Sequence, residues 1–278
     1  MKTLILSDLH FGISTSKVDA LLERIRSLSR DYDQVILNGD TLDRYEAPAC
    51  EPRAERLLQQ VTDACRCGGA DPILISGNHD PAISNTSHIY LESSQTLVFH
   101  GDCLTDCTHP TRKSDQDLRV MLQQHWQEIG RRPENFLDLV AAYRKVQARF
   151  LRENPQIKEP RSTFGYIATI LVPPRKPFDV FLYWWRVPGL AAALARTYPQ
   201  PVRHVVIGHS HRAGRWNFGD LEVFNTGSFM PLSLPCVVSV EDAQVSFVPL
   251  RKLLKPVRTY LAPRPNRAAQ PETLKLEP

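Results

Sequence analysis

The sequence predicts a layered α/β fold on three observations. Short β-branched or leucine-rich runs alternate with longer amphipathic stretches through the first eighty residues. Polar, glycine-containing motifs sit just past the carboxyl end of each such run, where open α/β sheets gather functional groups. The 278-residue chain is 42% hydrophobic and 23% charged, ordinary values for a globular protein able to bury one substantial core.

Taken in order, Thr3 to Ser7 reads as a strand, Lys17 to Leu28 as a helix, Gln34 to Leu37 as a strand, Arg53 to Cys65 as a helix and Pro72 to Ser76 as a strand. After a further strand, Thr96 to Phe99, the period changes to that of helices. Leu118, Met121, Leu122, Trp126 and Ile129 share one face, as do Phe136, Leu139, Val140, Tyr143, Val146 and Phe150. Strand character returns at Val202 to Ile207 and Leu221 to Phe224. Cys236 to Val240 and Gln244 to Val248 then read as a hairpin about Glu241-Asp242. The expected organisation is a core of residues 1–109 and 203–250, a helical cap insertion over 110–202, and a basic, proline-rich tail over 251–278 with a disordered character.

Met1 to Asp8 meets a carboxylate too soon for a secretory leader, so a cytoplasmic protein is expected. The most apolar later stretch, Phe178 to Ala195, carries Asp179, Arg186 and Pro188, which argues against a membrane span but leaves peripheral contact with a bilayer open. Six cysteines lack the paired spacing of a structural zinc site and read as reduced thiols. The formal charge of +4 is uneven. Residues 110–202 hold 15 Lys/Arg against 8 Asp/Glu, and residues 251–278 hold 7 against 2, which leaves the rest of the chain acidic. An acidic core suits bound cations, and basic flanks suit an anionic substrate, a membrane surface or nucleic acid.

Five motifs carry the chemistry: Asp8-Leu9-His10, Gly39-Asp40-Thr41-Leu42-Asp43-Arg44, Gly77-Asn78-His79-Asp80, His100-Gly101-Asp102 and Gly208-His209-Ser210-His211. They contain five of the nine histidines. Carboxylate oxygens mixed with imidazoles suit divalent ions such as Mn²⁺, with Fe²⁺, Zn²⁺ or Mg²⁺ as alternatives. Residues at i and i+2 of an extended segment project the same way, which would aim Asp8 with His10 and His209 with His211 at one point. Any single pair of this kind arises by chance in turns. All five at strand ends, with glycines where the backbone turns, do not.

In order and spacing the set resembles the calcineurin-like metallophosphoesterases, whose pattern runs D-x-H, G-D-x-x-D-R, G-N-H-D/E, a further histidine, then G-H-x-H. The resemblance implies a layered β-sandwich flanked by helices and a dinuclear metal centre that hydrolyses a phosphate ester or diphosphate with activated water. It assigns Asp8, His10 and His211 to one ion and Asn78, His100 and His209 to the other, with Asp40 bridging. His79 falls at the leaving group, paired with Asp43, and Arg44 falls where an arginine grips phosphate oxygens. A helical cap after His-Gly-Asp is similar to the UDP-2,3-diacylglucosamine hydrolases, although those enzymes have arginine at the position of His79. A lipid-linked or nucleotide diphosphate is therefore the expected substrate, with a nuclease or nucleotide phosphodiesterase on the same core as the alternative and a non-catalytic metal-binding scaffold as a third reading. Asn225-Thr226-Gly227-Ser228 is similar to an N-x-G-S segment of the family and reads equally as an ordinary turn.

Overall fold

A computed structural model of the chain describes residues 1–12, 18–43, 52–106, 113–154, 176–230 and 233–253. Two five-stranded sheets form its centre. The first has the order β10-β9-β1-β2-β3, from strands β1 (Lys2–Leu6), β2 (Gln34–Asn38), β3 (Asp71–Ile75), β9 (Cys236–Glu241) and β10 (Gln244–Pro249). The second has the order β4-β5-β6-β8-β7, from β4 (His88–Leu91), β5 (Thr96–Phe99), β6 (His204–Ile207), β7 (Gly214–Asn217) and β8 (Glu222–Asn225). Each sheet has a parallel centre, β1-β2-β3 and β5-β6-β8, extended by antiparallel edge strands.

Alternation along the strands explains the layering. In β1, Ile5 joins an apolar cluster with Ile36, Ile75, Val98, Val206, Phe224, Val238 and Val240, contributed by both sheets. Its neighbours Leu4 and Leu6 pack instead with Leu21, Ile25 and Leu28 of α1 (Val18–Ser29) and Val61, Ala64 and Cys65 of α2 (Pro52–Gly68). Because successive strand residues face opposite sides, one run of buried residues fills two layers. The same holds in the second sheet, where Val98 and Val206 face inward while Leu97, Phe99, Val205 and Ile207 face the helices α3 (Lys113–Glu128), α4 (Phe136–Glu153) and α5 (Lys176–Ala195).

Within this segment, α4 starts where the Asn135 side chain accepts from the Asp138 amide at 3.0 Å, a cap contributing about 1 kcal/mol. Its face Phe136, Leu139, Val140, Tyr143, Val146 and Phe150 is buried as the periodicity predicts. Ile129, expected on the buried face of α3, is 47% exposed because the helix ends at Glu128. Pro188 is accommodated inside α5, and among the described residues no helix is long and apolar enough to cross a membrane. The first residues expected in the tail complete a helical turn, Leu250–Leu253, seated by the buried Leu250. Residues 254–278 lie outside the described residues.

Candidate metal centre

The five motifs leave the carboxyl ends of β1, β2, β3, β5 and β6 and meet at one edge of the sandwich. The Asp8 amide donates to the Gly39 carbonyl at 3.1 Å and the His10 amide to the Asp40 carbonyl at 2.9 Å, tying the first two loops together. The Gly208 amide donates to the His100 carbonyl at 2.9 Å and ties the two from the second sheet.

The side chains converge, though not by the expected route. Asp8, His10, Asp40, His209 and His211 all have positive φ, between 47° and 61°. Left-handed backbone, not an extended segment, therefore turns Asp8 and His10, and His209 and His211, toward a common point. Such a conformation costs roughly 1 kcal/mol or more per residue and is held by its surroundings. Glycine is required beside it: a Cβ on Gly39 would stand 2.3 Å from His100 Nδ1, and one on Gly208 would stand 2.3 Å from a carboxylate oxygen of Asp8.

Two groups of donors result. In the first, His211 Nε2 lies 3.2 Å from Asp8 Oδ1 and 3.2 Å from His10 Nε2, and His10 Nε2 lies 3.8 Å from Asp40 Oδ2. In the second, His100 Nε2 lies 3.3 Å from Asp40 Oδ2 and 3.2 Å from Asn78 Oδ1, with His209 completing the set. Asp40 belongs to both. Donors placed about 2.0–2.2 Å from one cation stand about 3.0–3.4 Å apart, so the 3.2–3.3 Å spacings fit a divalent ion in each group, and the 3.8 Å one is wider. The partners behind the donors fit it too. His100 Nδ1 donates to the Asn38 carbonyl at 2.9 Å, which presents Nε2 as the ligating nitrogen, and Asp40 Oδ1 accepts from the His79 amide at 2.9 Å, which keeps Oδ2 for the shared position.

Charge supports the same chemistry. Burial pushes the Asp8 and Asp40 carboxyls up, but the imidazoles outweigh it, His211 for Asp8 and His100 with His79 for Asp40, and hold both below the usual carboxylate range. They are fixed anions at 0% and 1% exposure. Burial and the neighbouring His100 push the His209 imidazole down to about 3, so it stays neutral, as a ligand must be. Burial also lowers His100, but the Asp40 carboxylate draws it well above the ordinary histidine value, so a cation there would have to displace its Nε2 proton.

A third group lies beside the first. Asp43 Oδ1 stands 3.5 Å from His10 Nδ1 and 3.5 Å from His79 Nδ1, and His79 Nδ1 also bonds the Asp43 carbonyl at 2.9 Å. Despite burial, these two imidazoles hold the Asp43 carboxyl well below its ordinary range. His79, Asn78, His209 and His211 are half-buried, so the centre opens on the side they line. Arg44 lies outside the described residues.

Sequence reasoning passed over two supports. Asp80 is fully buried, and its carboxylate accepts from the amides of Asp40, Thr41, Leu42 and Gly77 at 2.8–3.1 Å, binding two ligand loops into one unit. Burial and Asp40 push its carboxyl up to about 7 against the pull of those amides. Asn225 is buried too. Its amide donates to the Gly208 carbonyl at 2.7 Å and Ser210 Oγ at 2.9 Å while its oxygen accepts from the Gly227 amide at 2.9 Å. The signal for Asp80 was its place directly after Asn-His; for Asn225 it was the Asn-Thr-Gly-Ser run itself.

The family model for calcineurin-like phosphoesterases matches residues 1–213. Among solved structures the chain is similar to the phosphoesterase Yfce of E. coli, at 12% identity over 91% of this chain and 94% of that one, with a TM-score of 0.42. It is similar to a predicted phosphoesterase of Streptococcus pneumoniae at 14% identity, 90% of each chain and a TM-score of 0.37. Zinc-complexed Vps29 of Entamoeba histolytica matches at 11% identity, 90% of this chain and 99% of that one, with a TM-score of 0.36. No curated protein matches the sequence.

Proposed function

Because the chain belongs to the calcineurin-like phosphoesterases, we propose that it hydrolyses a phosphoester or diphosphate at a dinuclear centre. One divalent ion would be held by Asp8, His10, Asp40 and His211 and the other by Asp40, Asn78, His100 and His209. The observation that carries this reading is the pair of donor groups sharing the Asp40 carboxylate. When bound, two cations, Mn²⁺ in this reading, supply an activated water and neutralise charge on the phosphoryl oxygens.

The chain's own residues do the rest. The His79 amide fixes the rotation of the Asp40 carboxylate. Asp43, held as an anion between two imidazoles, orients His79 through Nδ1. His79 Nε2 is then the atom from which a proton would pass to the departing oxygen. Arg44 is proposed from the motif alone to grip phosphate oxygens.

For the substrate, α5 favours one branch. Its Tyr183 and Trp184 stand against the loop of His209 and Ser210, while Phe178, Phe181 and Trp185 on the other side are 61%, 52% and 73% exposed. An aromatic surface joined to the metal loops, with the exposed Arg186 beside Trp185, suits the apolar chains and anionic head of a lipid-linked phosphate or diphosphate. Residues 110–202 are proposed as the insertion that supplies this surface to a core of 1–109 and 203–250 in a cytoplasmic protein that touches membranes at its surface.

The test is hydrolysis by metal-stripped protein resupplied with Mn²⁺, offered bis-p-nitrophenyl phosphate, UDP-diacylglucosamine and single-stranded DNA in parallel. Metal-dependent turnover with preference for the lipid diphosphate is expected, and preference for DNA would select the nuclease reading. Asp40→Asn removes the shared charge and should abolish turnover and weaken uptake of both ions; near-normal activity would overturn the assignment.

A further inference from the structure

Two helices from outside the motifs reach the ligand loops by the same device, a side-chain N–H on a backbone carbonyl. On α4, Gln147 is 4% exposed within an otherwise apolar face, and its Nε2 donates to the Asn78 carbonyl at 3.0 Å. One turn earlier Arg144 donates to the carbonyls of Pro81, Ser84 and Asn85, at 2.7 Å for the last, so the loop that carries Asn78 and His79 is held by α4 at two places. On α5, Trp184 Nε1 donates to the Ser210 carbonyl at 2.9 Å, between His209 and His211, and the His209 ring stands edge-on to Tyr183 at 6.3 Å.

Packing alone does not account for Gln147. A leucine or methionine would fill the same stripe, and the Gln147 Oε1 is buried without a hydrogen-bond partner among the described residues. An unsatisfied buried acceptor costs about 1–3 kcal/mol. The glutamine carries that burden while making one bond, to the residue whose Oδ1 faces His100.

The two bonds differ in what they serve. The Trp184 bond reaches a loop that carries donors of both groups, whereas Gln147 holds Asn78, which faces His100 of the second group. The other group is tied down elsewhere: the Phe229 amide donates to the Asp8 carbonyl at 3.1 Å, Ser233 Oγ to the His211 carbonyl at 2.9 Å, and Asp43 stands behind His10. We infer that Gln147 is a positioning residue that sets the cation affinity of the Asn78-His100-His209 site, so that occupancy of this site depends on α4 while that of the Asp8-His10-His211 site does not. The inference rests on the dinuclear reading above.

The experiment is a calorimetric titration of Mn²⁺ into metal-stripped full-length protein, with bound metal counted, for wild type, Gln147→Met and Gln147→Leu. Both substitutions keep the bulk and remove the donor. Wild type should take up two ions. In each variant one binding step should stay within twofold and the other should weaken about tenfold or more, the usual effect of losing a group that orients a ligand. The melting temperature of the metal-free variants should stay close to wild type, and Arg149→Ala, on the solvent side of α4, should leave both steps unchanged. Equal weakening of both steps, or two unaltered steps, overturns the inference. Should Gln147→Met fail to fold, Gln147→Leu decides by the same criteria. Uptake of a single ion by wild type would defeat the dinuclear reading itself, and uptake of two with unchanged variants defeats only the role of α4.

Discussion

At the scale of single residues, five of the seven proposed ligands, Asp8, His10, Asp40, His209 and His211, are held in left-handed backbone. The family resemblance singled these five out together with Asn78 and His100, and the folded chain brings all seven side chains together. The way they meet was misread, because spacing is silent on φ. An i, i+2 pair looks the same in an extended segment and in a left-handed turn, and only packing chooses between them. His79 illustrates the next level of detail: the sequence pairs it with Asp43, while the structure adds the backbone carbonyl of Asp43 and a second imidazole, His10, on the same carboxylate. Since His79 stands outside both proposed donor groups, His79→Ala should retain bound metal and slow hydrolysis most for esters with poor leaving groups, by about 100-fold or more for a general acid. A series of aryl phosphates of graded leaving-group pKa reads this directly, and equal slowing across the series would remove His79 from the leaving-group role.

At the scale of elements, long periodic segments were legible and short edges were not. The central parallel strands and helix α1 fall within two residues of the expected bounds, α2 runs three residues past its expected end, and the face expected of the α4 segment is buried. Strands β4 and β7 went unseen. Both are four-residue edges with half-buried or exposed side chains, and β7 alternates weakly through Arg215 and Asn217. The arrangement of ten strands as two sheets, one against the other, came from family resemblance alone, since a buried run does not say which layer it lines. Asn225 shows what connects an element to the site: it ends β8 and fastens the Gly208-His209-Ser210 loop to it through two hydrogen bonds, while its oxygen accepts a third from the Gly227 amide. Asn225→Ala should leave those buried partners unsatisfied and destabilise the protein by about 2 kcal/mol or more in a denaturant titration. Because the loop carries ligands to both ions, Mn²⁺ affinity should fall as well. A loss of stability below about 0.5 kcal/mol would mean that water or a shifted loop replaces the bonds.

At the scale of the whole molecule, the centre is a junction between the two sheets. Asp8, His10, Asp40 and Asn78 follow strands of the first sheet, whereas His100, His209 and His211 follow strands of the second. Without cations, the carboxylates of Asp8 and Asp40 face each other and the nearby Asp43 with only imidazoles between them. An ion held by donors from both sheets would therefore do two things on one side of the sandwich: offset that repulsion, and link layers otherwise joined there by apolar contact and bonds such as Asn38 Nδ2 to the Phe99 carbonyl at 2.9 Å. Since the donor groups require the folded arrangement, binding adds to stability by mass action, about 4 kcal/mol at a free ion concentration a thousandfold above Kd for one site. For a domain of this size that corresponds to a rise in Tm of about 10 °C. Thermal unfolding followed in a chelator and then in increasing Mn²⁺ should show this rise, and Asp40→Asn, which removes the only donor common to both groups, should show little of it. If wild-type protein binds Mn²⁺ while its Tm stays where the chelator left it, the ions sit on the surface and not across the sheets, and the junction assigned to these seven residues is wrong.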